Sequence, residues 1–197
     1  MKQYQADLSA GSLMLPESRI VARLLMANVT DAEWDQAIRL DNLLQKGVPS
    51  TAIRQARLIR FRLEAISPSL WPLVAHGDKE AAVQALFAAA LKHSELLRDF
   101  VRDVVTDHVR RLEMTISPRE WEQFLADCQA RDPAVGTWSE STRRKLLQVV
   151  LRILAEARYL ESTRSLRLLE PHLHPSVAKA LKDAGEQRLL KLMELHA

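Results

Sequence analysis

Two stretches decide how this chain folds: STAIRQARLIRFRLEAI at residues 50–66 and STRRKLLQVVLRILAEA at residues 141–157. Each opens on a Ser-Thr pair and then repeats apolar residues every three or four positions, the period of an amphipathic helix. At about 100° per residue, Ala52, Ala56, Ile59, Leu63 and Ile66 share one face of the first helix, and Leu146, Val150, Ile153, Leu154 and Ala157 share one face of the second. The other sides are basic. Arg54, Arg57 and Arg62 point away from the first apolar face with Arg60 at its flank, and Arg144, Lys145, Gln148 and Arg152 point away from the second beside Arg143. Leu58 and Phe61 fall among the outward arginines, where they pack on another element or sit in an interface.

Working outward, each basic stretch follows an acidic one that carries a tryptophan: DAEWDQAI at residues 31–38 and PREWEQFL at residues 118–125. Thr30 with Glu33, and Ser117 with Glu120, are capping boxes, the second with Pro118 at the first helical position. The echo has two accounts. Capped amphipathic helices resemble one another by chance, or the chain holds two related helix-turn-helix-like units, within residues 1–75 and 115–170. The remaining periodicity and the glycine stops predict helices near 16–27, 31–46, 50–66, 68–75, 79–92, 94–112, 118–130, 140–157, 175–184 and 186–195. Residues 159–161 and 166–169 around a Ser162-Thr163-Arg164-Ser165 turn are a candidate β-hairpin of weak strand propensity. The expectation is a mainly α, compact multi-helix bundle, one domain over residues 1–197, with at most one small hairpin near 159–169.

The chain has 197 residues, 47% of them hydrophobic and 27% charged, enough for a packed core. Its one cysteine, Cys128, excludes an internal disulfide and fits a reducing cytoplasm. The first fifteen residues are a poor signal peptide because Asp7 interrupts them. The longest apolar run, residues 81–91, contains Gln84 and covers about half a bilayer.

The net charge is only +3, but the cations are segregated. From Lys46 to Leu63 there are five cations and no acid, and across residues 138–169 there are seven cations and three acids. A single basic helix face is usually just solvated. Two such faces with hydroxyl-rich starts, the second followed by a basic hairpin, form the pattern of a polyanion-binding surface and the layout of a winged helix-turn-helix. The candidate DNA contacts are Lys46, Ser50, Thr51, Arg54, Arg57, Arg60 and Arg62 in the first unit. In the second they are Ser141, Thr142, Arg143, Arg144, Lys145, Gln148, Arg152, Arg164 and Arg167. The hydroxyl pairs would present helix N-termini to phosphates. Duplex DNA suits this set better than single strands, because aromatic residues are only 5% and Trp34, Trp71 and Trp121 sit where packing would use them.

No phosphate-cradling glycine loop, nucleophile elbow or zinc-binding His-Glu-x-x-His occurs. His172 and His174 read as a turn before Pro175, and Asp103, Asp107 and His108 as a solvated charged face rather than a metal or acid/base site. The chain is expected to be no enzyme, and to use no cofactor, metal or small-molecule substrate.

The stretches YQADLSAGSLMLPESR, DNLLQKGVPSTAIRQARLIRFRLE, LKHSELLRDFV and WSESTRRKLLQVVLRILAEARYLE, followed by SLRLL, resemble the BrxA family of bacterial BREX bacteriophage-exclusion systems over nearly the whole chain. The resemblance implies an all-helical or nearly all-helical protein whose core is similar to the antitermination factor NusB. It also implies binding to double-stranded DNA in a system with methyltransferase, ATPase and phosphatase-like partners. It does not say which residues touch DNA. The alternative is a protein-interaction adaptor whose basic faces dock acidic partners, with Leu58 and Phe61 as anchors.

Overall fold

A computed structural model describes residues 4–195; the first three and last two positions of the expected 1–197 domain lie outside it. The chain is a helical bundle built from α1 (Leu15–Met26), α2 (Asp31–Asp35), α3 (Pro49–Ala65), α4 (Trp71–His76), α5 (Lys79–His93), α6 (Glu95–Phe100), α7 (Thr106–Arg110), α8 (Pro118–Arg131), α9 (Glu140–Glu156), α10 (Pro175–Asp183) and α11 (Gln187–Met193). No strand forms among the described residues. No helix among them is long and apolar enough to cross a membrane.

The axis of the bundle is α5. Every residue from 81 to 91 is buried, so the run that was too short for a bilayer is instead a helix enclosed by protein. It packs against α1, α3, α4 and α6 on one part of its surface and α10 and α11 on another. Phe87 meets Tyr159 at 4.6 Å between ring centroids, and the Tyr159 hydroxyl donates to the Met193 carbonyl, so the C-terminal helices close over α5. A second aromatic cluster, Phe100, Trp121 and Phe124, seats α8 on the end of α6. One continuous cluster of buried side chains runs from Tyr4 to Leu195 and joins both of the units read from the sequence.

Two expected elements come out differently. The helix expected over 31–46 has its α part in α2 and a π-helical turn at Gln36–Leu40, then stops. Asn42 and Gln45 take left-handed backbone, and the Asn42 side chain bonds both the N–H and the C=O of Lys46, a local arrangement that competes with helix. The helix expected over 94–112 likewise has a π-helical segment, Val101–Val105, between α6 and α7. The candidate hairpin is only a pair of isolated antiparallel bridges, Leu160 with Leu168 and Thr115 with Arg167. Residue 166 is left-handed, which breaks the ladder after one pair.

Capping boxes are where the sequence placed them. At α2 the Thr30 side chain accepts from the Glu33 N–H at 3.3 Å and Glu33 accepts from the Thr30 N–H at 2.7 Å. At α8 the Ser117 N–H donates to Glu120 at 2.6 Å.

The N-terminal segment acts as a strap. The Tyr4 hydroxyl donates to the buried Asp99 carboxylate at 2.6 Å, and the Ser94 hydroxyl donates to Asp7 at 2.9 Å. The Ser12 hydroxyl and the Leu13 N–H donate to the two oxygens of Glu156 at 2.8 and 2.9 Å. Tyr4 also donates its N–H to Asp132 at 3.0 Å. The strap therefore ties α5 and α6 to α8 and to the C-terminal end of α9.

Candidate nucleic-acid interface

The second basic helix presents its cations to solvent. Leu146, Val149, Val150, Ile153 and Leu154 of α9 are buried, and the face opposite them carries Arg144, Lys145, Gln148 and Arg152. The side chains of Arg144 and Arg152 are 67% and 70% exposed. Each has an i,i+4 carboxylate, Glu140 and Glu156 respectively, the second at 3.2 Å. Exposed pairs of this kind contribute under about 1 kcal/mol and give way to a phosphate. Lys145 is exposed with no ion pair among the described residues, and Gln148 is exposed. Arg143 is half-buried, and its Nε lacks a hydrogen-bond acceptor among the described residues.

The start of α9 is more self-contained than the sequence implied. Ser139 is the N-cap and accepts from the Thr142 N–H at 3.2 Å, while its hydroxyl also meets those of Ser141 and Thr142 at 2.9 Å each. Glu140 adds a negative charge in the first turn. The Ser141 and Thr142 hydroxyls are thus knotted together, and the helix dipole already has a partner.

The first basic helix departs from expectation. Arg62, read as an outward DNA contact, is 2% exposed. Its guanidinium donates to the Gly11 carbonyl at 3.1 Å and to the Ser12 carbonyl, and burial pushes its pKa down to about 10 against the pull of Asp7 and Glu156. The correction has a simple cause: the strap lies over α3 at this point and covers what a free helix would expose. Leu58, expected outward, is buried as well. Lys46 is held by Glu17 of α1. Arg60 stacks over Trp34 at 4.9 Å and donates to Glu64 at 2.8 Å. Arg57 lies over the exposed Phe61 ring at 5.4 Å, leaving Arg54 as the least engaged arginine of the set. Ser50 is exposed and Thr51 partly so, on a helix whose N-cap, Val48, offers no side-chain acceptor.

The turn after α9 keeps its basic tip in water. Arg164 and Arg167 are exposed, and Arg167 has only a long pair to Glu161 at 3.9 Å. Backbone bonds from Leu168 to the Met114 carbonyl at 2.9 Å and from Ile116 to the Leu166 carbonyl at 3.0 Å fasten the turn to the segment before α8.

The two basic helices do not merge into one positive groove. Strap residues 11–13 separate Arg62 from Glu156. The cleft of about 1270 Å³ that reaches from Gln55 of α3 to Arg152 of α9 mixes Lys79, Arg152 and Arg158 with Glu17, Glu80, Glu156 and Glu170. A smaller depression of about 560 Å³ lies beside the start of α9, lined by Arg119 and Glu122 of α8 and by Trp138, Glu140, Arg143 and Arg144. Sequence reasoning passed over Arg119, Glu122 and Trp138. The PREWE box and the tryptophan that precedes STRRK were the available signals.

The other titratable clusters have structural partners. Asp103 pairs with Arg102 at 2.7 Å, Asp107 with Arg111 at 2.9 Å and His108 with Glu120. His174 caps α10 by accepting from the Ser176 N–H at 3.2 Å. Cys128 is buried, and burial pushes its thiol up to about 11.

Comparison with known proteins agrees with this architecture. The family model BrxA matches residues 2–185. A "BREX protein BrxA" of Paramagnetospirillum magneticum is 42% identical over 98% of this chain and 97% of its own length, and one of Escherichia coli O9:H4 is 33% identical over 98% and 91%. A crystal structure of an uncharacterized protein from Magnetospirillum magneticum superposes with a TM-score of 0.90 at 40% identity, covering 98% of this chain and 99% of that one. With a match this long and relatives this similar, the chain belongs to the BrxA family.

Proposed function

We propose that this protein is a non-enzymatic, double-stranded-DNA-binding accessory component of a BREX-type bacteriophage-exclusion system, and that α9 with the turn after it faces the DNA. One observation carries the reading: Arg144, Lys145, Gln148 and Arg152 are solvent-facing on a helix whose opposite face is buried, and Arg164 and Arg167 follow on an exposed turn. Long cations on a rigid helix suit phosphate and base-edge contact. The first basic helix has a secondary part through Arg54 and Arg57, since Arg60 and Lys46 are engaged and Arg62 is buried. The other components of the same defence system are the natural protein partners. The reading involves no cofactor, metal, catalytic step or small-molecule substrate, and places the protein in the cytoplasm with the DNA.

The test is a mobility-shift titration with duplex DNA over a range of salt. About six phosphate contacts give a slope of log K against log salt near −5. Absence of any duplex binding at low salt overturns the reading. An adaptor role is the second reading, favoured by one observation: Leu40, Leu43 and Val48 are exposed apolar residues on and after the turn that ends the first acidic helix. Co-purification with another defence component, abolished by Leu40→Ser with Val48→Ser and unaccompanied by DNA affinity, is the outcome that would favour it.

A further inference from the structure

The depression between the starts of α8 and α9 has a composition that neither a packing role nor phosphate contact alone explains. Its lining combines a half-buried indole, Trp138, with three guanidinium groups, Arg119, Arg143 and Arg144, and two carboxylates, Glu122 and Glu140. The charges are not all spoken for. Arg144 takes Glu140, while among the described residues Arg119 and Glu122 are exposed with no ion pair and Arg143 leaves its Nε buried without an acceptor. A buried donor left unmade is costly, and an incoming anion beside it relieves part of that cost. An indole lining a concave cationic site is a stacking platform of the kind that holds one base. An exposed carboxylate in the same lining, Glu122, can accept from an exocyclic amine, as carboxylates do at the edge of cytosine. The volume, about 560 Å³, is ample for one nucleotide.

We propose that this depression is a socket for a single unpaired nucleotide whose base carries an exocyclic amine, with the base on Trp138, the amine at Glu122 and the phosphate between Arg119 and Arg143. The inference rests on the reading of α9 as the DNA-facing helix. It adds that the protein prefers duplex DNA containing an extrahelical base to perfectly paired duplex. An intact duplex keeps its bases stacked, so the socket stays unused and only the outer face of α9 contributes. A bulge has already lost its pairing, so little further cost attends placing its base on the indole.

The experiment compares fluorescence anisotropy for one duplex in five forms: fully paired, or carrying a one-nucleotide bulge of adenine, cytosine, thymine or an abasic site. The expected result is about tenfold tighter binding of the adenine and cytosine bulges than of the paired duplex, with the thymine bulge in between, the abasic bulge close to the paired duplex, and quenching of tryptophan fluorescence by every bulge that carries a base. Trp138→Ala removes the preference and the quenching. Because Trp138 also packs against the core, Glu122→Gln supplies a surface variant: it narrows the gap between the cytosine and thymine bulges while the protein stays folded. Equal affinity for all five duplexes overturns the socket and leaves the DNA-facing reading standing. Binding to none of them overturns both.

Discussion

The two basic helices, α3 and α9, are nearly interchangeable on paper and differ in how far their cations are exposed. Both start with Ser-Thr, both carry four cations against an apolar face, and both follow an acidic segment with a tryptophan. In α3 only Arg54 and Arg57 stay exposed: Arg62 enters the core, Arg60 covers Trp34, Arg57 also lies over Phe61, and nearby Lys46 closes on Glu17. In α9 Arg144, Lys145 and Arg152 stand in water. The difference comes from what surrounds each helix. α3 is enclosed by α1, α5, the π turn at Gln36–Leu40 and the strap, whereas the strap's strongest packing on α9 leaves its basic side open. Amphipathic pattern fixes which face is apolar, but the number of packed neighbours decides whether the other face is a surface at all.

This contrast can be broken from either side. The largest effect is expected at Arg62: Arg62→Met strands the Gly11 and Ser12 carbonyls and leaves Asp7 without its nearby cation, costing about 3 kcal/mol. Thermal denaturation should show a midpoint lower by roughly 10 °C, while the folded protein keeps its duplex affinity. A variant that melts normally but loses DNA binding would place Arg62 at the interface after all.

Next comes Arg143→Ala, Arg144→Ala and Lys145→Ala in one protein. Duplex affinity should fall by at least tenfold at moderate salt, with a melting midpoint within about 2 °C of the parent, since only exposed or half-exposed pairs are lost. Arg54→Ala with Arg57→Ala is expected to weaken binding by only about two- to threefold in the same anisotropy assay, reflecting one or two phosphate contacts.

The smallest effect concerns pH. Burial lowers the His108 pKa, but its hydrogen bonds to Glu120 and to the Glu113 carbonyl more than reverse this, so the imidazole titrates above its usual range. A raised folded-state pKa contributes stability that is fully present below the unfolded value, about 6.5, and is lost as pH rises through the folded value. Urea midpoints measured on either side of that window should fall modestly toward alkaline pH, and His108→Gln should flatten the dependence.

Much of the fold was legible because its elements carry local signals. Thr30 with Glu33 and Ser117 with Glu120 announced helix starts through groups only three residues apart. What failed depended on distant chain. Nothing near Arg62 discloses that residues 11 and 12 will cover it, and nothing near Tyr159 discloses that its partner strand will break at the left-handed residue 166. The site was legible in the same proportion: the outward face of α9 follows from its own period, whereas the depression at Trp138 needs α8 beside it. The tryptophan was visible, and its neighbours Arg119 and Glu122 were not.

On this reading α9 carries most of the duplex contact and α3 the lesser part. This division is tested most directly by salt titration of duplex binding for the parent and for the protein with Arg143, Arg144 and Lys145 all changed to Ala. A parent slope of log K against log salt near −5, shallower by about 2 in the variant as Arg144 and Lys145 are lost from the outer face, is the expected result. Identical slopes for the two proteins would contradict it.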